Sequence, residues 1–392
     1  MTEPSRAAPD ILPAADLAAL TELRRDLHAH PELGFEEHRT ARVVADRLRA
    51  LGLDVTEGLA ETGVVGTLGE GGRRVGLRAD IDALAMDEAS GRPWASTAPG
   101  RMHACGHDGH TTMLLGAAAR LAADPPEGTI HFIFQPAEEG RGGAKRMVEA
   151  GFFDEFPCDA VFGLHNMPGL APDEMAVVAG PQLASSDSWR VVMRGVGTHA
   201  AKPHLGRDAL TAAGQLLAAL QTIPGRVVDP LQPAVVSACS VQAGNPKALN
   251  VIPAEVRIGG TARAYTPEVR DQLEEEIARL VHGIASAHGV TADYEFIRRI
   301  PPVVNDPDAS RIALAAAQDV AAGGVRTEFP PSTAGDDFAY FAMGAPGCFV
   351  WLGNGPATDG ALHHNPGYDF NDAAIATGVA WWEQVARRAL AA

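Results

Sequence analysis

Thr129-Ile130-His131-Phe132-Ile133-Phe134-Gln135 runs directly into Pro136-Ala137-Glu138-Glu139-Gly140. Seven residues rich in β-branched and aromatic side chains, closed by a proline, read as one buried strand. Two carboxylates at the end of such a strand are costly unless something pairs with them. The arrangement recurs along the chain. Strand patterns at 64–68 and 74–78 flank a Gly-Glu-Gly-Gly turn, and the second leads into Ala79-Asp80-Ile81-Asp82. The apolar stretch 160–164 ends in His165-Asn166, and a late strand at 349–352 precedes His363-His364-Asn365-Pro366. Helical patterns lie between them at 17–27, 36–51, 111–123, from 309 onward and at 373–390. Strands alternating with helices predict an α/β fold, a mostly parallel sheet with helices on both faces. In such sheets ligands bind at the carboxyl ends of the strands.

The stretch Met102-His103-Ala104-Cys105-Gly106-His107-Asp108-Gly109-His110 adds a thiol, three imidazoles and a carboxylate just before a helix. Cys and His are preferred ligands for zinc-like ions, and a helix N-terminus favours anionic groups. Cys105, His107, one of Glu138 and Glu139, His165 and one of His363 and His364 form a mixed ligand set spread from residue 105 to residue 364. A closed structural zinc site uses four ligands at short spacing, so this set points to an open catalytic centre with two metal ions. Asp80 and Asp82 either orient a metal-bound histidine from behind or cap a helix. His28 and His30 are either further ligands or the partners of a loop.

Residues 187–298 follow a different order. Strands at 188–194, 234–242, 256–264 and 290–296, with helices at 208–222 and 267–288, spell βαββαβ, the ferredoxin-like motif. The expected organisation is therefore a discontinuous catalytic domain, 1–186 and 299–392, interrupted by an inserted lid or dimerisation domain at 187–298.

Bulk properties exclude several classes. The 392 residues are 46% hydrophobic and 21% charged, an ordinary globular composition. A net charge of −17 argues against a nucleic-acid partner. No apolar run is long enough to span a bilayer, and Met1 to Asp16 lacks the apolar segment of a signal peptide. Four scattered cysteines do not form a disulfide framework, so a cytoplasmic location is expected.

His103-Ala104-Cys105-Gly106-His107-Asp108-Gly109-His110, Gln135-Pro136-Ala137-Glu138-Glu139-Gly140, Gly163-Leu164-His165-Asn166 and His364-Asn365-Pro366 resemble the hippurate hydrolase family. These are metal-dependent N-acyl-amino-acid amidohydrolases, related to auxin-conjugate hydrolases and dinuclear-zinc carboxypeptidases. The likeness runs from Arg24-Arg25-Asp26-Leu27-His28 through Arg78-Ala79-Asp80 to Tyr368-Asp369-Phe370-Asn371-Asp372. It implies two divalent metal ions (Zn, Mn, Co or Ni) held by Cys105, His107, Glu139, His165 and His364, with Glu138 as general base. His364 is preferred over His363 because the family's ligand lies two residues before the proline.

The resemblance further implies that His199, in Gly197-Thr198-His199-Ala200, stabilises the oxyanion. Asn250 and Arg263 are implied to hold the substrate carboxylate. His199 then acts from a partner chain or after domain closure, and a homodimer or dimer of dimers is expected. Two departures stand out: Ala85 replaces a usual Pro, and Asp336 in Gly335-Asp336-Asp337-Phe338 replaces a usual Glu. The implied reaction is hydrolysis of a small N-acyl-L-amino acid. Three alternatives are a metallo-dipeptidase or carboxypeptidase, an amidase with Cys105 as nucleophile, and a metal-stabilised scaffold. Cys105 and His107 lie too close in sequence to make a nucleophile–base pair without another histidine. A scaffold would have no need of Glu138.

Overall fold

The computed structural model describes residues 12–358 and 360–392; most of the N-terminal stretch read above as no signal peptide lies outside them. The chain divides into two units. One comprises the residues up to Gly180 with Val304–Pro330 and Asp337–Ala392, and the other comprises Pro181–Val303 and Pro331–Asp336.

The first unit is built on an eight-stranded sheet. Its strands run in the order Asp54–Leu59, Gly63–Leu68, Thr129–Gln135, Arg74–Asp80, Ala160–Met167, Gly347–Gly353, Glu174–Ala176, Gly324–Arg326. The four strands from Thr129–Gln135 to Gly347–Gly353 are mutually parallel, and the hairpin at the first edge is antiparallel. Those four strands are almost wholly buried, which is why they read as continuous apolar runs rather than alternating ones. Helices cover both faces. Ala14–Ala29, His38–Ala50, His107–Ala123, Pro307–Val320 and Ile375–Leu390 pack on one side, joining Cys348, Val350 and Leu352 in the main core. On the other side Phe349 meets Phe338 with ring centroids 5.5 Å apart, beside the short helices Gly143–Glu149 and Ala339–Gly344. The helix His107–Ala123 is buried on nearly every side at its start, which is why it carries no polar stripe.

Several expectations need correction. The strand at 160 does not stop at residue 164 but continues to Met167, so His165 and Asn166 belong to the strand itself. The first helix runs to Ala29 and takes His28 into its last turn instead of leaving it in a loop. Strands Asp54–Leu59, Glu174–Ala176 and Gly324–Arg326 went unread. Asp54–Leu59 and Gly324–Arg326 are half-exposed strands at the sheet's two edges, and Glu174–Ala176 is only three residues long, so none carries a clear apolar signal.

In the second unit, strands Ser186–Arg194, Ala234–Ala243, Glu255–Ala264 and Thr291–Ile300 form an antiparallel sheet. Ala234–Ala243 and Thr291–Ile300 lie at its edges, and Ser186–Arg194 pairs between Glu255–Ala264 and Thr291–Ile300. With helices Ala209–Leu220 and Pro267–Ala287 this is the ferredoxin-like arrangement. Asp208 caps the first helix through the Leu210 and Thr211 amides, and Thr266 with Pro267 starts the second. Trp189, Val191 and Met193 point into the core between the outward Arg190 and Arg194, the alternation of a sheet with one covered face. Among the described residues, no helix is long and apolar enough to cross a membrane.

Candidate metal centre

Gly106 precedes the helix His107–Ala123 with φ 97°, and a side chain there would run into the Asn166 amide and the Tyr368 hydroxyl. Glycine at this point lets the chain turn tightly enough to set Cys105 and His107 on the same side. Cys105 Sγ lies 3.4 Å from His165 Nε2, and the ligand atoms of Cys105, His107 and His165 form one cluster. Cys105 also clusters with Glu139 and His364, and His107 with Glu138 and Glu139. All of these residues belong to the first unit.

The imidazoles are aimed by what holds their other nitrogen. Asp82 Oδ1 sits 3.2 Å from His107 Nδ1, and the Asn166 carbonyl accepts from His165 Nδ1 at 2.8 Å. Both rings therefore turn Nε2 toward the cluster, the tautomer a metal ligand needs. His364 Nε2 lies 3.2 Å from Glu139 Oε1, whereas His363 Nε2 faces the Asn166 side chain at 3.0 Å. That contrast separates the two late histidines: His364 faces the cluster and His363 supports it. His364 has φ 60°, and its amide donates to the Ala104 carbonyl at 2.8 Å, tying the late loop to the Cys105 loop.

Asp80, His107 and His110 also converge, but His110 is spoken for. Its Nδ1 donates to Asp80 Oδ1 at 2.6 Å and its Nε2 accepts from the Asn166 amide at 3.1 Å. His110 is thus a bridge between two strand ends. Burial would raise the Asp80 carboxyl, but His107, Arg78 and His110 hold it well below the usual range. Arg78 is itself fully buried, donating to Asp80 Oδ2 at 2.9 Å and Gln135 Oε1 at 2.7 Å. Asp337 accepts from Gln135 at 2.8 Å and from the Ala144 amide at 3.0 Å. Asn166 also donates to the Cys105 carbonyl at 2.6 Å and accepts from the Tyr368 hydroxyl at 2.7 Å. Asn166, His110, Gln135 and Asp337 were not singled out by sequence reasoning. Their only signal was membership of the same strand-end motifs.

These residues fit divalent metal. Among the buried polar atoms without a hydrogen bond is His107 Nε2, inside the cluster. Burial, helped by Glu139, pushes the Cys105 thiol up, and hydrogen bonds donated to Cys105 and Glu139 push His364 up to about 10. A cation held here would favour the Cys105 thiolate over the thiol. The donor set of thiolate, imidazole and carboxylate suits zinc-like ions.

His28 takes no part. It is buried against Asp108, with Nδ1 2.8 Å from Asp108 Oδ2 and Nε2 3.3 Å from Glu88. Arg24 completes that network through Asp369 at 2.9 Å and Asp372 at 2.7 Å. His30 lies at the surface, held by the Asp26 carbonyl at 2.7 Å.

The second unit carries His199, Asn250, Arg263 and Asp336. His199 and Asn250 are neighbours on the small ladder of Thr198–His199 with Val251–Ile252, where the Ala200 amide donates to the Asn250 carbonyl at 2.9 Å. The Ala201 amide donates to His199 Nδ1 at 3.1 Å, so a neutral ring keeps its proton on Nε2, ready to donate. Arg263 gives its Nη1 to Thr261 Oγ1 at 2.6 Å and the Ala262 carbonyl at 2.9 Å. Among the described residues, its Nε and Nη2 make no hydrogen bond. Asp336 is buried.

The sequence signature described as peptidase family M20/M25/M40 matches residues 76–388. A hippurate hydrolase of Campylobacter jejuni is 39% identical over 373 residues, covering 94% of this chain and 96% of its own length. An N-acetylcysteine deacetylase of Bacillus subtilis is 37% identical over 373 residues, with the same shares. The crystal structure of a Bacillus subtilis dinuclear metal binding peptidase of family M20 superposes with a TM-score of 0.83 at 34% identity. It covers 95% of this chain and 98% of that one.

Proposed function

Because this chain belongs to peptidase family M20/M25/M40 and is a metal-dependent amidohydrolase, we propose that it hydrolyses the amide bond of N-acyl-L-amino acids. The products are a carboxylic acid and the free amino acid. The observation that carries this reading is the Glu138-Glu139 turn, which brings both carboxylates to His107 while Glu139 also meets Cys105 and His364. Cys105, His107, Glu139, His165 and His364 would hold two divalent cations. When bound, such a pair supplies a water of lowered pKa and polarises the amide carbonyl.

Glu138 takes the proton as the water oxygen bonds to the acyl carbon, then passes it to the nitrogen as the C–N bond breaks. Asp82 keeps His107 in its working tautomer throughout. His199 is the donor to the oxyanion of the tetrahedral intermediate, a role its Nε2 proton supports. Arg263, through Nε and Nη2, and Asn250 take the substrate carboxylate. The exposed edge strand Ala234–Ala243 supports a homodimer, and a strict monomer by light scattering at micromolar concentration overturns it. The free cysteines support a reducing, cytoplasmic setting.

The test is hydrolysis of hippurate, N-acetyl-Met and a dipeptide by chelated enzyme with and without added Mn²⁺, Co²⁺ or Zn²⁺. Metal-restored release of amino acid from the acylated substrates is expected. Preference for the dipeptide moves the assignment to a dipeptidase, and activity indifferent to verified metal removal sinks the metal mechanism.

A further inference from the structure

Glu37 is fully buried, and among the described residues no basic side chain pairs with it. Isolated buried carboxylates are expensive, so this one calls for a reason. Its two oxygens have separate partners. The Thr62 hydroxyl donates to Oε2 at 2.6 Å, and the Ala137 amide donates to Oε1 at 2.8 Å. Ala137 immediately precedes Glu138 and is held at φ 55°, a left-handed conformation that costs an alanine about 1 kcal/mol or more. Two residues on, the Glu139 amide donates to Asp82 Oδ2 at 3.0 Å. Two buried carboxylates thus grip the backbone on either side of Glu138. Gly34 packs so closely on Ala137 that a side chain there would come within 2.9 Å of it, and Arg141 holds the Gly34 carbonyl at 2.8 Å.

We infer that Glu37 is a positioning residue for catalysis: through the Ala137 amide it imposes the left-handed turn that aims Glu138 and Glu139 in different directions. This rests on the proposed roles of those two glutamates. The role explains why a carboxylate sits there, since an acceptor braced by Thr62 can hold one strained peptide in place.

The test compares Glu37→Ala, Thr62→Val, the double variant Glu37→Ala/Ala137→Gly, and Glu138→Gln, all assayed with metal bound. Glu37→Ala should lower kcat about 100-fold, the penalty of a misplacement near 1 Å, with KM moved less than about twofold. Thr62→Val, which keeps the side-chain volume, should lower kcat by roughly three- to tenfold. Adding Ala137→Gly should recover at least about tenfold, because glycine adopts a positive φ without strain. A cavity or folding defect at Glu37 would not respond to a change at residue 137. If Glu37→Ala and Thr62→Val both keep kcat within about twofold while Glu138→Gln is inactive, the positioning role is overturned and the glutamate assignment stands. If Glu37→Ala does not fold, Thr62→Val alone decides. If Glu138→Gln still turns over, the reading of the glutamate pair fails first, and this inference with it.

Discussion

The C-terminal edge of the first unit's sheet and the small ladder of the second unit use polar residues in opposite ways. At the sheet edge, Asp80, Asp82, His107, His110 and Asn166 are all buried, and each holds at least one other member of the group. On the ladder, His199 and Asn250 are exposed and are held mainly through backbone bonds. The difference teaches where precision is stored. A buried network fixes charge and tautomer before any ligand arrives, whereas exposed groups gain their order from the ligand itself. Substitutions at the edge should therefore change chemistry and metal binding, and those that disturb the second unit's carboxylate-binding residues, Asn250 and Arg263, should change substrate affinity.

The sharpest way to break this contrast is Glu138→Gln. It should abolish measurable turnover while metal content, read by atomic emission, stays at the wild-type level; retained turnover removes Glu138 as base. Next comes Asp82→Asn, which takes the carboxylate from His107 Nδ1 and from the Glu139 amide together. Metal affinity, measured by competition with a chelating dye, should fall by about 10- to 100-fold, and an unchanged affinity would place Asp82 outside the centre.

Thr261→Val tests the second unit by removing one of the acceptors that hold Arg263 Nη1 in place. It should raise KM by roughly three- to tenfold with kcat within about twofold, the signature of lost uniform binding. A drop in kcat at constant KM would mean that Arg263 acts on the chemical step rather than on substrate affinity.

The smallest effect concerns stability. Burial alone would lower the His28 pKa from its ordinary value of 6.5, but Asp108 and Glu88 raise it to about 9. A raised folded value means a contribution fully present below pH 6.5 and lost as the pH climbs through about 9. That contribution is at most about 3 kcal/mol. Between pH 6.5 and 9 the Tm of wild type should fall further than that of His28→Gln. Parallel curves by calorimetry would show that the pair does not titrate in this range.

Much of this was legible in the chain because strand ends announce themselves. Thr129–Gln135 followed by two glutamates, and Arg74–Asp80 followed by Asp82, locate the working edge without coordinates. The ferredoxin-like unit was readable because the order of its strand and helix patterns is carried by local stretches of sequence. What was not legible depends on partners far apart in sequence. Nothing around Asn166 reveals that it meets Cys105, His110, His363 and Tyr368 at once. Glu37 is equally silent, since its partner amide lies 100 positions away. The same holds for Arg24, whose acidic partners Asp369 and Asp372 come from the far end of the chain.

The strand Gly347–Gly353 lies between Ala160–Met167 and Glu174–Ala176, near the middle of the sheet rather than at its rim. During synthesis that place can be filled only after the second unit's strands and helices have emerged. Until then, the edge of Ala160–Met167 beside His165 exposes open pairing groups, the kind of surface on which chains stick to one another. Closing the sheet across so long a sequence separation is also a slow step for any chain. Pulse-labelled hydrogen exchange during refolding should find the amides of Ser186–Arg194 protected before those of Gly347–Gly353; the reverse order would mean that the sheet closes first. On this account the late strand works as an assembly checkpoint, admitting His364 to the centre only once the rest of the sheet is in place to receive it.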